Sequence, residues 1–506
     1  MKPLSRKIYL VLDPPTEADP RPDRQRVMEA LPRELGRVSM TLPVLRRLYA
    51  ILRRGDWRVT AALSRSREGW DLVDLEPGDT TVAHYGVAAD LGSTTLCLRL
   101  LDLNTGRVLA QDSVYNRQIA YGEDILNRVF YCKDSEEKRE ELRQATLDTF
   151  REGLRALERA SGLPMEKCAA MVVAGNTTMM HLFLGLEPFG VFAAPYAPAD
   201  LQFGFFTAEE LGLSICGNVF LYPCQANYLG GDIISGMIAT GIPDRPGISV
   251  FLDIGTNGEL VVGSRDFLLA GAGAAGPALE GGVVKTGMRA VEGAVSYVKL
   301  TEGKFDLTVI GGGTPKGLCG SGIVDLIAQL FLNGKLDFMG RFVPESGGLV
   351  RENGQWGISY APGLIFWQSD VDAFLRTKAA ANTMVEYMLE SVGLPLSEVE
   401  RFYVAGAFGT YLDKESAVTI GLYPDLPRER IVSAGNSSLD GAQALLLDRA
   451  LVERLPGILE KMDYVQFGEV ATFVDRMRAA MAIPHTDLGR YPTVRAELLR
   501  RGLIRT

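Results

Sequence analysis

Between Tyr85 and Leu103 the chain reads YGVAADLGSTTLCLRLLDL, two apolar runs separated by one short polar break. Val87, Ala88 and Ala89 lead into Asp90. Gly92, Ser93, Thr94 and Thr95 form the break, and Leu96–Leu101 turns apolar again. The pattern predicts two strands joined by a tight loop. It recurs at Ile248–Val262, ISVFLDIGTNGELVV, with Asp253, Gly255, Thr256 and Asn257 in the matching places.

The repetition continues downstream. The turn Asn104-Thr105-Gly106 and a strand at Arg107–Ala110 follow the first copy; a turn at Ser264–Asp266 and a strand at Phe267–Ala270 follow the second. Glu136–Ala160 carries a helical stripe through Leu147, Phe150, Leu154 and Leu157 and leads into GLPMEKCAAMVVAGNTT. Val371–Ser391 carries another through Phe374, Ala381, Val385 and Met388 and leads into GLPLSEVERFYVAGAFG. In each copy Gly-Leu-Pro precedes a strand ending in Val-Ala-Gly, and Gly162 to Gly175 and Gly393 to Gly406 are both 13 positions apart. Copies so far apart point to two lobes rather than to a short-period solenoid.

Residues 1–83 read as a separate small α+β unit. Strands are expected at Ile8–Leu12, Trp57–Leu63 and Trp70–Leu75, and helices at Asp23–Leu35 and Thr41–Arg54, with Pro32 and Pro43 near their limits. Nothing in this unit suggests catalysis. Leu182–Asp232 is rich in aromatics, including Phe189, Phe192, Tyr196, Phe205, Phe206 and Tyr228. It reads as core of the first lobe or as a partly exposed partner surface.

Composition narrows the class. A 506-residue chain that is 47% hydrophobic and 23% charged is of globular type, with room for two or three domains. The formal net charge of −9 argues against a general nucleic-acid binder. No apolar run reaches the ~20 residues that span a bilayer, and the N-terminus lacks a signal-peptide core. Cys97, Cys132, Cys168, Cys216, Cys224 and Cys319 are scattered without a CxxC pair. Free thiols of that kind suit a reducing cytoplasm, and they argue against an iron–sulfur cluster or structural zinc in this chain.

The two hairpins carry the candidate chemistry. A carboxylate at the end of a buried strand, followed by a small-residue turn rich in N–H and hydroxyl donors, suits a phosphate with its magnesium. Asp90 and Asp253 would hold Mg²⁺ through its waters. Ser93, Thr94, Thr95, Thr256 and Asn257 would bond phosphate oxygens, and Gly92, Gly255 and Gly258 would let the backbone approach. An ordinary tight turn explains either hairpin alone; the pair is better explained as a clamp on a triphosphate. Gly406, Ala407, Phe408 and Gly409 end the last strand of the second copy, where small residues let an adenosine lie against backbone. Gly317–Asp325, GLCGSGIVD, reads as a helix start whose Gly320 and Ser321 donate N–H groups to the same nucleotide, or as a helix simply capped by Ser321. Asn176 and Thr177 stand where the second copy has Ala407 and Phe408; this polar pair suits positioning of an attacking water, or a capped turn. Walker-A, protein-kinase and dinucleotide fingerprints do not occur.

DLGSTT, DIGTNGE, VAGAFG and GNSSLDGA (Gly435–Ala442) resemble the phosphate-1, phosphate-2, adenosine and second connecting motifs of the actin, sugar-kinase and heat-shock-chaperone superfamily. YLGGDIISG (Tyr228–Gly236) resembles the first connecting motif. More narrowly, AGNTTMMHLFLGL, GPALEGGVVKTGMRA, GLCGSGIVDL, VAGAFG and GNSSLDGA together resemble the reductive activators of corrinoid proteins. KIYLVLDPP and PDRQRVMEAL resemble that family's linker and middle domain. The resemblance implies an α/β fold, a duplicated actin-like (ribonuclease H-like) two-lobe ATPase preceded by a small α+β domain. The expected limits are 1–83 for the small domain, about 84–245 plus a return at 435–506 for the first lobe, and about 246–434 for the second.

It also implies a function: ATP and Mg²⁺ drive reduction of a corrinoid protein from Co(II) to Co(I), with the electron coming from a ferredoxin-like [2Fe-2S] domain. Catalytic roles fall on Asp90, Asp253 and Asn176. The clustered cysteines of that iron–sulfur domain are missing, so the expectation is a chain shortened before the linker, or one served by a separate ferredoxin-type electron donor. Such a chain should bind and slowly hydrolyse ATP and bind its corrinoid partner, without passing an electron on its own. A homodimer is left open. Two alternatives remain: a small-molecule kinase of the same superfamily, with Glu280 or Asp232 as base, and a nucleotide-dependent scaffold that does not turn over.

Overall fold

The computed structural model describes residues 1–255, 258–273 and 284–505; the side chains of Ala407, Phe408, Thr410 and Glu469 are outside the description. The chain divides into two compact units, residues 1–239 with 437–460, and residues 240–436 with 461–506.

The first unit contains two sheets. Ser5–Val11 (β1), Val38–Met40 (β2), Arg58–Ser66 (β3) and Gly69–Pro77 (β4) form a four-stranded sheet in the order β1-β3-β4-β2. Helices Asp23–Ala30 and Leu42–Arg54 belong to this small α+β part, whose core includes Val27, Leu48, Leu52, Val59 and Leu72. The single helix expected over Asp23–Leu35 is broken: it ends at Ala30, and Arg33–Leu35 is one 3-10 turn after Pro32. Proline 32 has no N–H to continue the ladder and disfavours a helical residue before it, which accounts for the break.

Tyr85–Leu91 (β5), Thr95–Asp102 (β6), Val108–Tyr115 (β7), Cys168–Gly175 (β8), Gly204–Thr207 (β9) and Asn218–Leu221 (β10) form the second sheet, in the order β7-β6-β5-β8-β10-β9. The long helix Glu136–Ser161 buries Leu147, Phe150, Leu154 and Leu157 in the core of this sheet. A charge network ties the two sheets. Glu76 on β4 accepts from Lys7 Nζ on β1 (2.5 Å) and from Lys167 Nζ before β8 (2.6 Å), and Lys167 also reaches Asp74 Oδ2 (3.0 Å).

The second unit repeats the plan. Ser249–Ile254 (β11), Gly258–Gly263 (β12) and Leu268–Gly273 (β13) form the same antiparallel meander as β5-β6-β7. Next come Ala294–Thr301 (β14), Lys304–Val309 (β15) and Gly317–Leu318 (β16), then Val350–Glu352 (β17), Gln355–Ala361 (β18) and Leu364–Trp367 (β19), two three-stranded sheets that the periodicity did not predict. Arg401–Ala405 (β20), Ile431–Gly435 (β21) and Met462–Gln466 (β22) complete a main sheet ordered β21-β20-β11-β12-β13-β22. Read from the other edge, β13-β12-β11-β20-β21 matches β7-β6-β5-β8-β10 strand for strand. The parallel register matches too: Asp90 lies opposite Ala174, and Asp253 opposite Ala405.

The copies differ at the sixth strand. β9 runs antiparallel beside β10, whereas β22 runs parallel beside β13. This β22 pairing places residues 461–506 with the second unit, unlike the expected return of all of 435–506 to the first lobe. Only the Ser437–Leu447 and Ala450–Leu459 helices return to the first unit. Among the described residues no helix is long and apolar enough to cross a membrane.

Candidate functional site

Asp90 sits near the end of β5, a strand otherwise buried from Gly86 to Leu91, and is itself half-buried. The Ser438 hydroxyl, at the start of the Ser437–Leu447 helix, donates to Asp90 Oδ1 at 2.8 Å. The helix can come this close because Gly441 faces the Gly231–Thr240 helix. A Cβ there would lie 1.9 Å from the Ser235 carbonyl oxygen. Tyr222, buried in the same unit, donates its hydroxyl to the Gly441 carbonyl at 2.8 Å.

The loop after Asp90 has its polarity sorted. Gly92 O accepts from Asn116 Nδ2 (3.0 Å), Ser93 O from Arg128 Nη1 (2.7 Å), Thr94 O from Asn116 N (2.8 Å) and Thr95 O from Gly92 N (3.0 Å). Each of these four carbonyls is thus committed to a donor of the same unit. What the loop has left for a ligand is N–H groups and the hydroxyls of Ser93, Thr94 and Thr95, a donor set suited to an oxyanion.

The turn after β8 is a helix cap. Asn176 Oδ1 accepts from Met179 N at 2.9 Å, which starts the Thr177–Leu184 helix. Thr177 is 1% exposed and gives its hydroxyl to Ala226 O at 2.9 Å, so it is turned away from any ligand. The capped-turn reading therefore describes this pair's local structure, and a role in positioning water has only Asn176 left to carry it.

In the second unit Asp253 again stands half-buried at the end of a buried strand. Gly406, just after β20, has φ +81°, and a Cβ there would lie 3.1 Å from Asp253 Oδ1. A side chain at this left-handed position would be strained and would crowd the carboxylate. Gly255 follows the strand and Gly258 begins β12; Thr256, Asn257 and Glu280 lie outside the described residues. Gly406–Tyr411 forms a short helix that contains the expected adenosine motif, including Ala407, Phe408 and Gly409.

The Gly320–Leu332 helix begins within GLCGSGIVD, but its cap is Cys319 and not Ser321. Ser321 lies inside the first turn and donates its hydroxyl to Ser296 O at 2.8 Å, a bond that commits it to the protein. Asp325 in the same helix is 1% exposed, and burial pushes its pKa up to about 6. Asp232, the described base candidate of the kinase alternative, accepts from the neighbouring Ile233 N at 2.9 Å.

Aromatics of 182–232 divide between the two readings. Phe183, Phe203, Phe220 and Tyr222 are buried; Phe189, Phe192, Phe205, Phe206 and Tyr228 are half-buried, and Tyr196 is exposed. Clefts of about 580 and 360 Å³ open beside β9, both lined by Ser66, Arg67, Phe205 and Phe206, and the Asp90 loop lines neither. Among the described residues no three His, Cys, Asp or Glu side chains converge as a direct metal site, and none of the six cysteines forms a disulfide. The donor set therefore does not fit a [2Fe-2S] cluster held by the described residues. A carboxylate beside a loop of donors does fit a hydrated Mg²⁺ carried by a phosphate.

The sequence reading missed Ser438, Asn116 and Arg128. Ser438 lay within GNSSLDGA, but nothing local paired it with a residue 348 positions away. Arg128 had a signal, a basic residue on the same helix as the buried Val129 and Cys132.

The comparisons agree along most of the chain. A family model described as the RACo linker region matches residues 1–82, the RACo middle region matches 85–245, and the C-terminal domain of RACo, the ASKHA domain, matches 247–495. The chain is similar to a corrinoid activation enzyme, RamQ, of Eubacterium limosum: 33% identical over 72% of this chain and 64% of that protein, so the match spans less than two thirds of the relative. It is also similar to the [Co(II) methylated amine-specific corrinoid protein] reductase of Methanosarcina barkeri, 24% identical over 77% of this chain and 75% of that one. A solved reductive activator for corrinoid,iron-sulfur protein superposes with TM-score 0.87 at 36% identity, covering 97% of this chain and 81% of its own. With an actin-like duplication in each unit's main sheet and this likeness along nearly its full length, the chain belongs to the family of reductive activators of corrinoid proteins.

Proposed function

We propose that this chain is an ATP-dependent activator that returns a corrinoid protein from Co(II) to Co(I). The observation that carries the nucleotide part is the Gly92–Thr95 loop. Its carbonyls are all taken from within the first unit, and donors remain beside the Asp90 carboxylate. On this reading Asp90 and Asp253 orient the waters of Mg²⁺, and the Ser93, Thr94 and Thr95 donors hold phosphate oxygens. Gly255, Thr256, Asn257 and Gly258 do the same from the second copy, and the Gly406–Gly409 segment receives the adenosine with help from Gly320 and the Ser321 backbone. Ser438 keeps the Asp90 carboxylate in place, and Asn176 is the candidate to position the attacking water.

ATP can drive the reduction only through its different affinity for two states of the protein. Nucleotide binding would favour the state that grips the corrinoid protein and makes its cobalt easier to reduce; hydrolysis would release it. The single electron comes from an iron–sulfur donor of ferredoxin type, which is oxidised as cobalt is reduced.

The test mixes the full chain with Co(II) corrinoid proteins, a low-potential iron–sulfur donor and Mg²⁺, with and without ATP, while the cobalt absorbance is followed. The expected result is formation of the Co(I) spectrum only with ATP, together with phosphate release. Reduction at the same rate without nucleotide would overturn the reading.

A further inference from the structure

The Ile125–Cys132 helix has an outer side on which Leu126 and Phe130 are 49% and 62% exposed. Between them in the sequence stands Arg128, which is fully buried. Its guanidinium makes a set of bonds that a smaller cation could not reproduce. Nη1 donates to Ser93 O at 2.7 Å and to Gln118 Oε1 at 3.4 Å, Nε donates to Gly122 O at 2.8 Å, and Nη2 donates to Glu123 O at 3.4 Å. All of these acceptors are neutral. Among the described residues no carboxylate lies within 4.0 Å of it, and Asp124 acts only from a distance.

A buried charge without a partner is expensive, and a neutral amide could tie two carbonyls at a lower cost. The position keeps the charge nonetheless, one hydrogen bond behind a loop that offers donors to an oxyanion. Burial lowers the guanidinium pKa to about 10, so it stays charged at neutral pH.

We propose that Arg128 is a positioning residue for the polyphosphate of the nucleotide. By drawing the Ser93 carbonyl back, it turns the Ser93–Thr95 N–H groups and hydroxyls towards the phosphate oxygens, and its charge is balanced when the phosphate arrives. The inference rests on the assignment of this loop as a phosphate-binding loop. It adds a residue to that site and a specific consequence: the arginine acts on the phosphates and not on the adenosine.

The experiment compares the full-length protein with Arg128→Gln and Arg128→Lys. Affinities for ATP, ADP and adenosine are measured with Mg²⁺ present, and hydrogen exchange at residues 92–95 is followed without nucleotide. Arg128→Gln is expected to weaken ATP at least tenfold and ADP less, to change adenosine by under twofold, and to speed exchange in the loop. Arg128→Lys keeps the charge but not the fork, and should fall between Gln and wild type. It also serves as the readable variant if Arg128→Gln does not fold. Equal weakening of ATP and adenosine would overturn the proposal, since the arginine would then be only structural. So would unchanged ATP affinity, or full recovery by lysine. If wild type itself binds neither ATP nor ADP, the phosphate-loop assignment fails first, and the exchange data alone then report what Arg128 does to the loop.

Discussion

The Ser438 hydroxyl donates to Asp90 Oδ1 at 2.8 Å, from a residue far along the chain to the strand end that carries the first candidate phosphate loop. The bond fixes one carboxylate oxygen of Asp90 at the head of that loop. A hydrogen bond to a charged group contributes about 1.5–3 kcal/mol. Ser438→Ala is therefore expected to lower the thermal midpoint, and to lower ATP turnover by roughly tenfold, equivalent to about 1.4 kcal/mol. Steady-state phosphate release and a melting curve on the same sample check both halves.

The second copy should answer in the same way. Asp253→Asn keeps the shape of the side chain beside Gly406 but removes its charge. Turnover is expected to fall by about 100-fold, near 2.7 kcal/mol, while circular dichroism stays as in wild type. Chelation of Mg²⁺ by EDTA should abolish turnover in wild type. Undiminished hydrolysis by a folded Asp253→Asn protein would remove Asp253 from the site.

The close approach of two helices in the first unit leaves no room at Gly441. A Cβ there would lie 1.9 Å from Ser235 O, and the clash is with backbone, which cannot swing aside as a flexible side chain can. Gly441→Ala should cost about 1–3 kcal/mol by overpacking. It should also disturb Ser438, one turn away, and so reduce turnover beyond what the stability loss explains. Denaturant titration alongside kinetics separates the two effects.

Acid should weaken the first unit in two stages. Burial pushes the His84 pKa from its usual 6.5 down to about 4, in a site where Nε2 meets Ser5 Oγ at 2.9 Å. The unfolded chain then takes up a proton that the folded one refuses, so stability falls between pH 6.5 and 4, by about 3 kcal/mol at most. Burial works to raise the Glu76 pKa, but hydrogen bonds from Lys167, Lys7 and Thr80 outweigh it and hold the pKa down to about 2. Its contribution is complete above the ordinary value of 4.5 and is lost as pH falls from there to 2. Urea midpoints against pH should show both limbs, and His84→Gln should flatten only the upper one.

In the second unit the fully buried Lys378 donates Nζ to Ala480 O (2.6 Å), to Ala482 O (2.7 Å) and to Pro484 O. Lys378→Met fills similar space but leaves three carbonyls without this donor. A loss of roughly 1–3 kcal/mol is expected, with faster hydrogen exchange near 480–484. An unchanged denaturation midpoint would mean that the carbonyls find other donors.

Much of the fold was legible locally. The duplicated strand–loop–strand, the Gly-Leu-Pro entry and the Val-Ala-Gly exit are patterns of neighbouring residues; the matching Asp90–Ala174 and Asp253–Ala405 registers came only with the pairing of distant strands. The helix stripes at 136–161 and 368–391 were equally readable, although the second begins at Gln368, where Asp370 Oδ2 accepts from Trp367 N. The two three-stranded sheets between 294 and 367 were not legible. Their strands are short, and β15 and β17 bury no residue fully, which leaves little for a periodicity reading to find.

By itself the sequence determined that two related halves exist, that each ends a buried strand in an aspartate, and which family motifs surround them. Hydrophobic period, turn residues and spacing are written in adjacent positions. Tertiary structure alone decided that β22 joins β13, that Ser438 holds Asp90, and that Asn116 and Arg128 turn the first loop's carbonyls inward. Those outcomes depend on which of many polar groups meet after distant segments pack. Every buried donor and acceptor must find a partner somewhere in the fold, and linear distance does not say where.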